Sequence, residues 1–252
     1  MPLENENLLP PELAENMDRL YRRALAQQWA VEDLPWQLGI KLNERQRVAG
    51  RRILSQVLYG EQASLEVMRQ LLEQVSEPAA RPFLSLQARD EERHVAVFER
   101  YLALLGGVEP PGAALAQLVE GLLELPGIPE KTLGMQLVVE GMALETFHAM
   151  AAGIDDPLLQ AIVRRVFVDE SRHVAFGTAL ARDAVASLDR AGKERVAEAS
   201  GRFAVLAAGL IREEQESALA FGIDLREVQR RTLRVLFRRL ARTGLFESLA
   251  LF

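Results

Sequence analysis

The sequence contains two copies of one short motif, Asp-Glu-x-Arg-His-Val-Ala. The first copy occupies residues 90–96 and the second occupies residues 169–175. Each copy includes Glu-x-x-His, and on an α-helix two side chains three residues apart lie on the same face. The carboxylate and the imidazole of each copy can therefore bind the same metal ion.

A further glutamate precedes each motif glutamate by 30 residues, and the whole unit repeats at an offset of 79 residues. Burying four carboxylates together without cations would be very costly, and two divalent ions would remove that conflict. Four glutamates and two histidines are also the ligand set with which four-helix bundles bind two metal ions. The predicted ligands are Glu61, Glu91, His94, Glu140, Glu170 and His173.

Apolar residues recur at helical spacing along most of the chain, and the predicted ligands fall on the apolar stripes. The sequence predicts an all-α fold, with a long helix from about residue 43 to 75 and a third helix that starts near Ser76 and Pro78. It predicts one domain, 1–252, with a core bundle at about 43–190. An N-terminal arm and helix (1–42) and C-terminal helices (191–252) flank that bundle.

Composition narrows the function classes. With 252 residues, 49% of them hydrophobic, the chain can bury a large core. Its net charge of −6 argues against nucleic acid as a partner, and the absence of cysteine excludes thiolate ligands. No signal peptide is visible, and the longest apolar run falls well short of the roughly 20 residues of a membrane span. We therefore expect a cytoplasmic protein, without membrane association.

With its paired motifs, the segment 43–190 resembles the ferritin-like di-iron carboxylate superfamily. The resemblance is to the branch of bacterial multicomponent monooxygenases, acyl-carrier-protein desaturases and ribonucleotide reductase small subunits. It implies a ferritin-like four-helix bundle and two iron ions, Fe/Fe or alternatively Mn/Fe. It also implies dioxygen as co-substrate, an external electron donor and a small or acyl-type organic substrate, and hence a dioxygen-dependent oxidoreductase of the oxygenase, N-oxygenase or desaturase type.

The same resemblance implies contacts around the ligands. The aspartate before each motif glutamate would bind the histidine of the other half, Asp90 to His173 and Asp169 to His94, which fixes the imidazole tautomer. Arg93 and Arg172 either pair with these aspartates or are ordinary surface arginines.

We predict that the substrate lies in an apolar cavity beside the metal ions. The two halves differ four residues after each motif histidine, where the first has Phe98 and the second Gly177. The glycine could leave room for substrate, or it could allow close helix packing. The candidate lining residues are Leu65, Met68, Phe98, Tyr101, Leu144, Phe147 and Gly177.

A third Glu-x-x-His occurs at Glu145 and His148, and Glu66 is the counterpart of Glu145 in the first half. These residues would be extra ligands or would contact the ligands from outside. Because Glu145 and Glu66 lie one step off the apolar stripes, an outer or surface position is favoured.

Two other functions stay open. A radical-generating subunit like that of ribonucleotide reductase commonly has a tyrosine where this chain has Phe98, which argues against that role. A non-enzymatic iron-handling protein is the second alternative. The arginine-rich C-terminal helix is either solvated or a docking face for an acidic carrier or a membrane surface. Expected partners are a small-molecule or carrier-bound substrate and an electron-transfer protein, and a homodimer is plausible.

Overall fold

The computed structural model describes residues 11–245, with side chains from residue 15. The predicted arm at residues 1–10 lies outside the described part. Residues 11–245 form helices and no strand, which confirms the all-α prediction. The helices are α1 (Pro11–Ala26), α2 (Glu44–Gln74), α3 (Arg81–Leu105), α4 (Ala113–Leu123), α5 (Ile128–Lys131), a π-helix (Thr132–Val139), α6 (Glu140–Gly153), α7 (Pro157–Ala186), α8 (Arg190–Leu219) and α9 (Leu225–Arg242); two short 3₁₀ turns, Val31–Asp33 and Trp36–Leu38, follow α1.

Two helical hairpins form the core bundle: α2 packs on α3, and α6 packs on α7. Asn43 caps α2 through its side chain, and Asp156 caps α7 in the same way. The prediction that the third helix starts near Ser76 and Pro78 was wrong. The carbonyl of Glu77 accepts hydrogen bonds from the amides of Ala80 and Arg81, so a turn is closed before α3 begins.

The buried apolar side chains form two clusters, and the six predicted ligands lie between them. Met68 and Phe176 belong to one cluster. Phe98 and Phe147 belong to the other, where their rings stack with centroids 6.1 Å apart. Each helix of the bundle therefore carries its carboxylates at the level where one apolar core ends and the other begins.

The remaining helices surround this bundle. Helix α1 packs on α3 and α7, α8 packs on α4 and the π-helix, and α9 packs on α6. The core glutamates are therefore covered on several sides by helices outside the repeated unit. None of the described helices is long and apolar enough to cross a membrane.

Helix α9 exposes most of its arginines. Of the acids on the preceding helix, Glu214 is already paired with Arg52 at 2.7 Å. Arg231 instead pairs with Glu145 at 3.2 Å. The exposed arginines are Arg226, Arg230, Arg231, Arg234, Arg238 and Arg242.

Candidate metal centre

The six predicted ligands converge at the middle of the bundle, each 6% exposed or less. They form two groups, and within each group one possible ligand atom per residue lies within 4.8 Å of the others. Glu91 and Glu170 belong to both groups. The first group adds Glu61 and His94, and the second adds Glu140 and His173. Two metal ions held here would therefore share Glu91 and Glu170, and each would have one further glutamate and one histidine.

Both histidines direct Nδ1 toward the carboxylates. Nδ1 of His94 lies 3.2 Å from Glu61 Oε2 and 3.3 Å from Glu170 Oε1. Nδ1 of His173 lies 3.1 Å from Glu91 Oε1. Nδ1 would therefore be the ligand atom of each ring, and Nε2 faces away from the cluster.

Burial and the neighbouring carboxylates have opposite effects on the pKa values of His94 and His173. Burial lowers the pKa of His94, but the charge of Glu61 and the contacts with Asp169 and Glu170 outweigh it and raise that pKa well above its ordinary value. Burial likewise lowers the pKa of His173, but the charge of Glu170 and the contact with Asp90 outweigh burial and raise that pKa well above its ordinary value. The carboxylates thus stabilise positive charge at both rings.

The pKa values of the predicted ligand glutamates shift in different directions. Burial raises the pKa of Glu61 and that of Glu140 well above the ordinary value. Burial also opposes ionisation of Glu91, but its close contacts with His173 and His94 lower its pKa overall. Two metal ions at these groups would replace the protons that the cluster otherwise shares, since metal ligands bind deprotonated.

Several buried atoms at the cluster make no hydrogen bond of favourable geometry, although some of them lie close to another predicted ligand. They are both carboxylate oxygens of Glu91, Oε2 of Glu140, Oε2 of Glu170 and Nδ1 of His173. Buried polar atoms without partners are rare and call for an explanation such as an ion. Carboxylate and imidazole donors together suit iron and manganese. The residues present therefore fit a dinuclear centre.

Asp169 lies on the Nε2 side of the His94 imidazole, at the centre of a hydrogen-bond network. Its Oδ2 is 3.1 Å from Nε2 of His94 and accepts hydrogen bonds from Trp29 Nε1 at 2.8 Å and Arg93 Nη2 at 2.9 Å. Arg172 donates to its other oxygen. With Nε2 held by Asp169 in this way, Nδ1 of His94 would be the nitrogen that binds a metal ion.

Asp90 occupies the equivalent place on the Nε2 side of the His173 imidazole. Its Oδ2 lies 3.3 Å from Nε2 of His173. Its Oδ1 accepts hydrogen bonds from Gln28 at 2.9 Å and from Arg93 at 2.5 Å. Although burial alone would raise it, the contact with His173 leads the effects that lower the pKa of Asp90. Both contacts implied by the resemblance are present. Arg172 is buried and Arg93 is partly buried, and both pair with these aspartates rather than lying free on the surface.

The sequence reasoning missed the residues that hold Glu140. Its Oε1 accepts hydrogen bonds from Gln87 Nε2 at 2.9 Å and Ser64 Oγ at 3.1 Å. Gln136 donates to Gln87 at 3.0 Å from the π-helix, whose last turn leads into Glu140. Gln87 lies on the apolar stripe of its helix, and this buried polar position was the one available signal.

A cavity borders the centre on the side of Glu61, Glu140 and Glu170. Its empty volume is about 1000 Å³, which includes space open to solvent. The other lining residues are Ile53, Gln56, Val57, Gly60, Ser64, Leu115, Leu118, Met135, Val139, Met142, Ala143, Thr146, Phe147, Met150, Leu210, Ile211, Glu214, Ala218, Ile223 and Leu225.

Of the seven predicted pocket residues, only Phe147 lines this cavity. The space beside Gly177 is filled by Gln136, whose Cδ would lie 2.9 Å from a Cβ at that glycine. Close packing, not room for substrate, therefore explains this glycine. The others lie away from the cavity, in the packed bundle or on its flank: Leu65, Met68, Phe98, Tyr101 and Leu144.

The three candidates for additional ligands lie outside both ligand groups. His148 is exposed, with its ring 6.0 Å from that of Phe167. Glu145 pairs with Arg231, and Glu66 lies 3.6 Å from Arg69. A position off the apolar stripe directs each of these side chains away from the bundle axis.

A four-helix bundle with these two carboxylate–histidine groups defines a ferritin-like protein with a dinuclear metal centre. The family model described as p-aminobenzoate N-oxygenase AurF matches residues 52–249. The chain belongs to this family of ferritin-like di-iron oxygenases. It is thus an oxygen-activating oxidoreductase. The search of curated proteins found no match.

Solved structures support the fold. An R2-like ligand-binding oxidase with an aerobically reconstituted Mn/Fe cofactor is 18% identical, with 90% of this chain and 92% of that chain covered and a TM-score of 0.72. The same kind of oxidase with a metal cofactor after photoconversion is 17% identical, with the same coverage and a TM-score of 0.74. At this identity the likeness concerns the fold.

Proposed function

We propose that this chain uses two metal ions and dioxygen to oxidise the nitrogen of an organic amine. The observation that carries the proposal is the pair of ligand groups sharing Glu91 and Glu170, beside a cavity that reaches the same carboxylates. Membership of a family described by an N-oxygenase adds the reaction type. The substrate amine would lie in the cavity, next to Glu61, Glu140 and Glu170.

We propose iron at both positions, with Mn/Fe as the alternative. All ligand atoms are carboxylate oxygens or imidazole nitrogens, which suit both metals. The two positions are not equivalent, because Glu140 is held by Gln87 and Ser64, whereas the residues at the equivalent places near Glu61, offset by 79, are Val166 and Ala143. This asymmetry gives a physical basis for two different metals.

The reduced metal pair would supply the activation of dioxygen. The chain itself supplies position and surroundings. Asp169 and Asp90 hold the Nε2–H of the two histidines, so that Nδ1 faces the ions. The wall that includes Phe147 and Met135 is apolar, so it offers water few hydrogen-bond partners on the side on which substrate would bind.

The reaction needs electrons from outside the chain, and we propose an external donor such as an electron-transfer protein. The exposed arginines of α9 offer a basic face to an acidic donor or to a carrier-bound substrate.

Metal content and oxygen consumption test the proposal together. Wild-type protein expressed with iron should contain about two metal ions per chain and consume dioxygen when a reductant and an aromatic amine are added. Glu91→Gln should reduce the content to one ion or fewer, because Glu91 belongs to both groups. Glu92→Gln, at the exposed neighbouring position, is the matched control.

Wild-type protein without metal, or with no more than Glu91→Gln, would contradict the dinuclear centre. Metal binding without amine-dependent oxygen consumption would favour an iron-handling protein over an enzyme.

A further inference from the structure

We propose that the substrate is an elongated, uncharged amine with an apolar body, and that Gly60 keeps open the channel that receives it. This inference rests on the proposed function, because it assigns the metal end of the cavity to the reacting nitrogen. It differs from the substrate in the family's description, p-aminobenzoate, which is compact and carries a carboxylate.

The cavity is long. On α2 its lining begins beside the centre at Ser64 and Glu61 and continues to Ile53. On α6 it continues from Glu140 to Met150. The eleven helical steps from residue 53 to residue 64 correspond to about 16.5 Å at 1.5 Å per residue. Ile223 lines the far end, since it lies 3.3 Å from a Cβ placed on Gly153, just beyond Met150.

The walls do not provide a charge partner for an anionic substrate. No lysine, arginine or histidine is found among the described residues that line the cavity. Among the described lining residues, Glu214 is the one acid that is not a predicted ligand. Arg52 already neutralises it through two hydrogen bonds of 2.9 and 3.1 Å. A carboxylate on the substrate would therefore be buried without a partner, which is strongly unfavourable.

Gly60 leaves the channel open beside Glu61. A Cβ placed on Gly60 would meet no atom within 4 Å, although this residue lies inside α2. The counterpart of Gly60 in the second half of the repeat is Val139, which also lines the cavity. Since glycine is a poor residue for a helix interior, the position favours open space over helix stability.

Binding without turnover tests the substrate class. We would titrate para-methyl-, para-butyl- and para-octylaniline and p-aminobenzoate into metal-free protein and into Mn²⁺-loaded protein under argon, and follow binding by calorimetry. Each methylene that stays in the channel should tighten binding by up to about fourfold, so octylaniline should bind at least about tenfold tighter than butylaniline. p-Aminobenzoate should bind more weakly than methylaniline.

Gly60→Leu should block the channel and abolish the gain from butyl to octyl. Gly201→Leu is the control, because that glycine is also helical, has no atom within 4 Å of a Cβ and lies outside the cavity. It should bind the series as the wild type does. Circular dichroism of both variants checks that they fold.

Equal affinity for all the alkylanilines, tighter binding of p-aminobenzoate, or an unchanged series in folded Gly60→Leu would overturn this inference. A chain-length dependence in a protein that consumes no oxygen would instead keep the channel and refute the proposed reaction.

Discussion

Trp29 donates a hydrogen bond of 2.8 Å from its indole nitrogen to Oδ2 of Asp169, the oxygen that also contacts His94. Trp29 follows α1 and lies outside the four helices that carry the predicted ligands. The guanidinium of Arg93, which shares the same aspartate oxygen, lies 4.5 Å from the centre of the indole ring. The N-terminal segment therefore completes the surroundings of the metal centre.

Trp29→Phe should weaken metal binding by about tenfold or more, because losing a group that orients a ligand typically costs 10- to 100-fold in affinity. Titration with Mn²⁺ measures this. Trp36→Phe is the matched control, since the Trp36 indole donates to the backbone carbonyl of Val31 and not to the centre. Equal affinities of the two variants would show that Asp169 does not need the indole.

Metal binding should stabilise the fold. Ions that bind only the folded state at 100 times their dissociation constant add about 2.7 kcal/mol per site to the free energy of unfolding. Thermal unfolding with and without Mn²⁺ under argon should therefore show a higher Tm for the loaded protein. Glu91→Gln should lose most of this gain, whereas Glu92→Gln should keep it. An unchanged Tm of the wild-type protein after addition of Mn²⁺ would contradict the metal centre.

Gln87→Met should affect the two metal positions unequally. The substitution removes a donor to Glu140 and leaves the amide of Gln136 without its oxygen partner, so we expect a loss of about 1–3 kcal/mol in the free energy of unfolding. Stepwise Mn²⁺ titration should show one weakened site and one nearly unchanged site. Gln62→Met, at an exposed position of α2, should change neither quantity. Equal weakening of both sites would argue against the asymmetry.

Gly177→Ala should destabilise the protein by about 1–3 kcal/mol, because the added methyl group would overlap the buried side chain of Gln136. Gly201→Ala should instead stabilise it by about 0.5–1 kcal/mol, since open space surrounds that helical position. Urea unfolding of both variants measures the difference. Equal or reversed effects would mean that Gln136 can move away.

The sequence by itself determined the fold class and the six side chains at the centre. Helical periodicity is local, so it places Glu91 and His94 on one buried face wherever the helix packs. Because the second half repeats this pattern, its equivalent residues are expected on a buried face at the same level of the bundle. The same local reasoning failed at Pro78, where a turn closed by the Glu77 carbonyl delayed α3.

Only the tertiary structure decided on which side of the centre the cavity lies, and which residues contact the predicted ligands and aspartates from outside the repeat. Trp29 and Asp169 are 140 residues apart, and no spacing rule connects them. The predicted pocket used Gly177 because a missing side chain suggests space, but Gln136 from another segment fills it. Whether a gap stays open depends on which distant side chains pack there, and at Gly60 none does.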